Sequence, residues 1–226
     1  NYYQSSLTFN KRDTLSVLSK FNIPRAKSIY VSEGTIDFSY KDVVKDLGLP
    51  FFVKPNQSGS SLGISKVNSE HEYEKALVFA FAEDKDILIE SFLDGTEISV
   101  GVLNYKGKTT VLGLTEIVSH NDFFDYEAKY LGKSEEITPA RISPEMTEKV
   151  TKTAIKVYES LRMKGFSRAE YIIMNEEPHF IEINTNPGLS PQSIFPQQAT
   201  YANIPMSDLL DSEIELALQN KPIWKK

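Results

Sequence analysis

FSRAEYIIMNEEPHFIEINTNPG, residues 166–188, is the stretch that decides the fold. Its pattern predicts two β-strands, residues 166–174 and 179–184, joined by a polar turn at 175–178. Side chains two apart on a strand share a face, so Arg168 points with Glu170, and Glu182 with Asn184. Paired as a hairpin, the strands bring one guanidinium, two carboxylates and one amide onto one patch. Ile172, Ile173, Phe180, Ile181 and Ile183 are expected on the buried side. Oxygen donors without His or Cys suit Mg²⁺ rather than zinc, and Mg²⁺ commonly arrives with substrate phosphates. A hairpin with a solvated charged face is the plain alternative. The turn-forming segment Thr185-Asn186-Pro187-Gly188 weighs against it, because its glycine lets backbone approach a ligand closely.

Composition narrows the class. With 226 residues the chain can bury a sizeable core, in one domain or two small ones. A net charge of −6, with no basic block, argues against nucleic-acid binding. The absence of cysteine excludes disulfides and thiolate chemistry and is compatible with the cytosol. No apolar run approaches the roughly 18 residues of a membrane span, and no signal peptide is visible. The chain begins at Asn1, which suggests a fragment or a processed form.

Upstream, residues 1–9 carry no clear signal, and residues 11–22 predict a short amphipathic helix. Residues 26–31 read as a strand, and 39–47 as a helix closed by Gly48 in a left-handed cap. A buried strand at 51–54 ends in Lys54 and runs into the small-residue loop 55–63, followed by a strand at 64–67. Ser69-Glu70-His71-Glu72 predicts a capping box for a helix whose apolar face holds Tyr73, Leu77, Ala80 and Phe81. Residues 86–90 form a strand, and 97–103 and 109–118 a hairpin. Residues 119–131 read as a polar, aromatic-rich loop. Ser143-Pro144 opens a helix that buries Met146, Val150, Val157 and Leu161 and ends at Gly165, and residues 206–218 form a last helix. The order is mixed α+β, with a seam near Glu90.

Three further features carry chemistry. Serine and glycine at 58–63 let backbone N–H groups and hydroxyls wrap an anion, with Lys54 in reach, or else form a flexible turn. No Gly-Lys-Ser/Thr follows, so this is no Walker loop. Glu90 and Glu97 can accept from a base amine and ribose hydroxyls while Phe92 and Leu93 flank a planar ring; a surface turn is the alternative. Residues 123–130 (FFDYEAKY) either pin a loop to the core or cover a substrate with Lys129. His71, His120 and His179 lack ligand spacing, which argues against zinc, and no Gly-x-Ser-x-Gly elbow appears.

KPNQSGSSLGISKV, LIESFLDGTE, FFDYEAKY, ITPARIS and RAEYII…IEINTNPG, in this order, resemble the D-alanine–D-alanine ligases of the ATP-grasp superfamily over residues 10–218. YEAKY and the serine loop are specific to that group, whereas the Glu-x-Asn pair is shared widely among ATP-grasp enzymes. The resemblance implies an ATP-grasp fold with two α/β subdomains, residues 1–89 and 90–226, and the nucleotide between them. It implies ATP with a pair of Mg²⁺ ions, or Mn²⁺, and ligation of two D-alanines through D-alanyl phosphate, the alternatives being a carboxylate–amine ligase with another acceptor and a nucleotide-binding fragment without turnover. It also implies a cytoplasmic location, a homodimeric full-length form, and no nucleic-acid or membrane partner.

Residue by residue, Lys11 and Lys54 match lysines on ATP phosphates, and Glu90, Phe92, Leu93 and Glu97 match the adenine and ribose site. Ser60 and Ser61 match the lid, with Ser60 in a network near the first D-alanine that also holds Tyr130; Lys129 matches a phosphate contact. Arg168 and the Gly188 backbone match the oxyanion stabilisers, Glu170, Glu182 and Asn184 the metal ligands, and Ser193 a contact to the second D-alanine. Tyr130 favours D-alanine over D-lactate as acceptor. Two departures stand out. Most relatives carry aspartate where this chain has Glu170. The family also begins with an N-terminal domain, absent here, whose glutamate helps hold the first D-alanine; this implies poor dipeptide synthesis by these residues alone.

Overall fold

The computed structural model describes residues 2–35, 38–119 and 134–219. Two antiparallel sheets organise it, as the mixed α+β pattern predicts. The first contains β1 (Ser28–Ser32), β2 (Phe51–Pro55), β3 (Ser65–Val67) and β4 (Asp86–Ser91), in the order β1-β4-β2-β3. The second contains β5 (Thr96–Tyr105), β6 (Lys108–Ser119), β7 (Ser134–Ile137), β8 (Ser167–Met174) and β9 (Glu177–Asn184), in the order β7-β6-β5-β8-β9. Chain passes from one sheet to the other between Ser91 and Thr96, close to the predicted seam.

Alternation gives each sheet two different faces. In the first, Ile29, Val31, Phe51, Val53, Ile87 and Ile89 pack under α3 (Tyr40–Leu47) and α4 (Glu70–Phe81). In the second, Ile98, Val100, Val102, Ala169 and Tyr171 meet Val150, Ala154 and Val157 of α5 (Pro144–Ser160). The opposite face of the second sheet is partly covered by α6 (Ile194–Tyr201) and α7 (Met206–Gln219), through Phe195, Ala199 and Leu209 on Leu103 and Leu112.

The chain before β1 belongs to the second sheet's core. Leu15 and Leu18 of α2 (Lys11–Ser19) are buried among its residues, and α1 (Tyr2–Phe9) lies against β9. Helix α1 gave no periodic signal because Gln4 is its sole buried residue, its amide donating to the Arg162 carbonyl. Thr14 Oγ1 donates to the Leu7 carbonyl at 2.8 Å and folds α1 back on α2.

Some local expectations are corrected. Ser69 makes no side-chain cap; the Glu72 carboxylate instead takes the Asn68 N–H at 2.6 Å. The reciprocal capping box forms at Ser39 and Asp42. The predicted helix end at Gly165 lies beyond the real one: α5 stops at Ser160, and Arg162 takes a positive φ of 52° to turn the chain. Helix α6 was not anticipated, because Pro196 sits inside it, in its first turn where proline is tolerated. Among the described residues, no helix is long and apolar enough to cross a membrane.

Candidate active site

The β8–β9 hairpin pairs Arg168 with Asn184 and Glu170 with Glu182, which puts the four polar groups on one face as predicted. The ladder then slips: Tyr171 pairs with Phe180, so Ile181 and Glu182 together oppose a single step of β8. This bulge corrects part of the expected buried side. Phe180 and Ile183 both enter the core, while Ile181, with Ile172 from β8, faces the cleft beside Glu170 and Glu182.

That cleft lies between the two sheets. The first sheet contributes Phe52, Lys54, Glu90 and Ser91, the second Glu97, Glu170, Ile172, Ile181 and Glu182, and the serine loop Ser61 and Ile64. Leu93 and Lys11 complete it. Phe92 is not among its lining residues; its ring lies 6.1 Å from that of Phe52, with Lys66 Nζ 4.8 Å above it. Lys54 and Glu90, both buried, form an ion pair across the floor, and Ser28 Oγ donates to Glu90 at 3.4 Å. Sequence reasoning assigned these two residues to opposite ends of a ligand; the structure pairs them with each other.

Lys11 stands where the cleft meets a second, polar pocket, lined by Ser5, Ser58, Ser60, Arg168, Asn184 and Thr185 among others. Its ammonium donates to the Ser58 carbonyl at 2.9 Å. Burial, and then the neighbouring Lys54 charge, bring its pKa down to about 8. Ser60 and Ser61 adopt φ values of 53° and 58°, and this left-handed turn places Ser61 in the first pocket and Ser60 in the second. Asn56, 2% exposed, was not singled out in the sequence. Its Oδ1 accepts the Arg12 N–H at 2.8 Å and its carbonyl the Lys11 N–H, which ties α2 to the end of β2.

Arg168 Nε donates to Glu170 Oε1 at 2.8 Å. Burial works against the guanidinium charge, but Glu170, backed by Glu182 and Glu136, outweighs it and raises the pKa. The other oxygen of Glu170 is buried with no hydrogen-bond partner. An orphaned carboxylate oxygen beside Glu182 and Asn184 fits a hard cation. Among the described residues, no group of three His, Cys, Asp or Glu gathers, so such an ion would draw further ligands from phosphate and water.

Beyond Asn184 the chain turns through Gly188, where a Cβ would come within 2.7 Å of Ser193 Oγ. Ser193 begins α6, and its hydroxyl meets that of Ser190 at 2.9 Å. Glu136 on β7 was also missed by the sequence reading. It is half-buried, accepts from Gln197 Nε2 at 3.3 Å, and its pKa is raised by burial. Lys129 and Tyr130 lie outside the described residues.

Residues 17–215 match the family model described as D-ala D-ala ligase C-terminus. A D-alanine–D-alanine ligase of Flavobacterium psychrophilum is 71% identical over the whole chain, which spans 69% of that protein. That of Flavobacterium johnsoniae is 60% identical over 96% of the chain and 67% of its own length. Among solved structures, the VanG D-Ala:D-Ser ligase of Enterococcus faecalis superposes with a TM-score of 0.85 at 31% identity, covering 94% of this chain and 62% of that one. The D-alanine–D-alanine ligase of Bacillus anthracis complexed with ATP gives 0.81 at 26%, covering 97% and 69%.

Proposed function

The chain belongs to the D-alanine–D-alanine ligase family, with its ATP-grasp fold, and from that premise we propose that the cleft binds ATP and the polar pocket binds the reacting D-alanines. The observation that carries this reading is the Arg168–Glu170 couple. One oxygen of Glu170 holds the arginine and the other has no protein partner, at the border of the inter-sheet cleft and a polar pocket.

Two bonds are made in sequence. A carboxylate oxygen of the first D-alanine attacks the γ-phosphorus of ATP and ADP leaves, giving an acyl phosphate. The amine of the second D-alanine then attacks the carbonyl carbon, loses a proton, and inorganic phosphate leaves. The product is a dipeptide of the kind used in peptidoglycan precursors. Lys11 and Lys54 offset charge repulsion between the two anionic reactants, and Glu90 and Glu97 orient the base and ribose. Leu93 and Ile181 supply apolar walls to the cleft. Arg168 faces the oxyanion that forms in the second step, joined by the Gly188 N–H. Ser60 and Ser61 cover the phosphates and keep water from the acyl phosphate. Glu170, Glu182 and Asn184 would hold Mg²⁺, which when bound supplies charge neutralisation for phosphoryl transfer. Ser193 receives the acceptor's carboxylate. Subdomains of residues 1–89 and 90–226 are proposed around the two sheets, with α1 and α2 of the first resting on the second sheet's core. A cytoplasmic location and a homodimeric full-length form belong to the same proposal.

The test is phosphate release and product mass with Mg-ATP and D-alanine, alongside calorimetric titration of Mg-ADP. Mg-ADP binding is the expected outcome, with at most slow formation of D-Ala–D-Ala by these residues alone, and failure to bind Mg-ADP would overturn the reading. A D-serine acceptor is the second reading, favoured by the likeness to a D-Ala:D-Ser ligase; competition between the two amino acids separates them.

A further inference from the structure

Helix α6 carries two consecutive glutamines that grip the second sheet at different strands. Gln198 is fully buried, and its Nε2 donates to the Ser99 carbonyl on β5 and to Thr115 Oγ1 on β6, both at 2.9 Å. Thr115 in turn meets the Thr138 hydroxyl at 2.6 Å, just past β7. The sheet is shaped for this contact. A Cβ on Gly101 would lie 2.4 Å from Gln198 Oε1, so any other residue there would push the Gln198 amide out of this position. Gln197 Nε2 bridges the Gln192 carbonyl, 2.8 Å away, and Glu136 on β7. Residues 188–193, which begin α6 and carry Gly188 and Ser193, are thus tied to the sheet through one pair of amides.

The gripped strand positions are those that set the reacting groups. Ser99 pairs with Glu170, and Gly101 with Arg168, in the β5–β8 ladder. Side chains directly opposite share a face, so Gln198 docks α6 onto the side of the sheet from which Glu170 and Arg168 project. A buried amide here is costly unless it is satisfied, and its Oε1 has no partner. Leucine would fill a helix–sheet contact without that cost, so the amide has a use beyond packing.

We propose that Gln198 is the positioning residue of the acceptor subsite: by docking α6 on the sheet face that carries Arg168 and Glu170, it sets the placement of Gly188 and Ser193. The inference rests on the reading that Gly188 and Ser193 meet the acceptor. Displacement by about 1 Å at such a site can cost up to a hundredfold in rate. The variants are Gln198→Leu and Gln198→Met; the second keeps the side chain's length and removes the donor, should leucine fail to fold.

Two measurements test it on the chain itself. In titrations of the product dipeptide D-Ala–D-Ala with Mg-ADP present, the variants are expected to bind the dipeptide about tenfold more weakly while Mg-ADP affinity stays within twofold. Equal loss of both affinities, or loss of neither, overturns the proposal, because a purely structural role does not separate them. If the wild-type chain binds Mg-ADP but no dipeptide, the acceptor reading itself has failed. Amide hydrogen exchange then decides the positioning role: faster exchange confined to residues 186–193 supports it, and unchanged exchange there sinks it.

Discussion

Lys11 holds a charge where burial and Lys54 both oppose one, and this makes it the site's pH-sensitive residue. Its folded pKa of about 8 lies below the unfolded value of 10.5. Between those values the unfolded chain keeps the proton and the folded chain gives it up, so this group's contribution to stability rises with pH across the window. Ligand binding runs the other way, since phosphates need the charge. Nucleotide affinity is expected to fall as pH rises through about 8, approaching tenfold per unit, and Lys11→Arg should flatten that fall. Calorimetry of Mg-ADP binding from pH 7 to 9.5, with proton uptake measured in two buffers, checks both. Glu170→Asp offers a second test. Shortening the side chain withdraws Oε1 from Arg168 Nε, now 2.8 Å away, so restoring the usual aspartate should weaken Mn²⁺ binding and lower the Tm. Retained Mn²⁺ affinity, read by electron paramagnetic resonance, would count against the coupling. Alternation in RAEYII and IEIN suffices to gather Arg168, Glu170, Glu182 and Asn184, because they sit on regular strand. The Lys54–Glu90 pair was not legible, because it joins neighbouring strands whose register no local pattern encodes.

At the scale of elements, the bulge in β9 does the sorting that a regular strand could not. Strict alternation would place Ile181 with one neighbour set and Glu182 with the other; the slip opposite Glu170 turns both to the cleft and still buries Phe180 and Ile183. Deleting Ile181 should restore an even ladder that keeps Glu182 and Asn184 facing Glu170 and Arg168. The expected variant folds, with circular dichroism unchanged, and binds Mg-ADP more weakly because one apolar wall is gone. A collapse of the fold would show that the extra residue is needed for pairing itself. This slip explains why Ile172 and Ile181 were expected in the core: apolar character predicts burial, but a nucleotide cleft is also apolar. Helix α1 escaped the sequence for a related reason: its buried side chain is the polar Gln4, and periodicity counts only apolar residues. Helix α6 does bury Phe195 and Ala199, but Pro196 in its first turn masked it.

At the scale of the molecule, the two sheets are joined at several places, among them the crossing at 92–95, Leu88 and Tyr30 of the first sheet in the second sheet's core, and the seam where Asn56 meets the start of α2. Helix α2 packs on the second sheet yet receives its anchor from the first. Asn56→Ala should leave the Arg12 N–H without its acceptor and lower stability by about 2 kcal/mol, measured by urea unfolding. It should also weaken Mg-ADP binding, since Lys11 begins that helix. An unchanged unfolding midpoint would exclude the anchor. The same architecture decides what the cleft ignores. With no guest, Lys54 and Glu90 neutralise one another on its floor. A free phosphate can attract the lysine but offers nothing to the glutamate it strands, and a bare base does the reverse. Only a molecule with an anion at one end and a hydrogen-bond donor at the other repays both halves of the divorce.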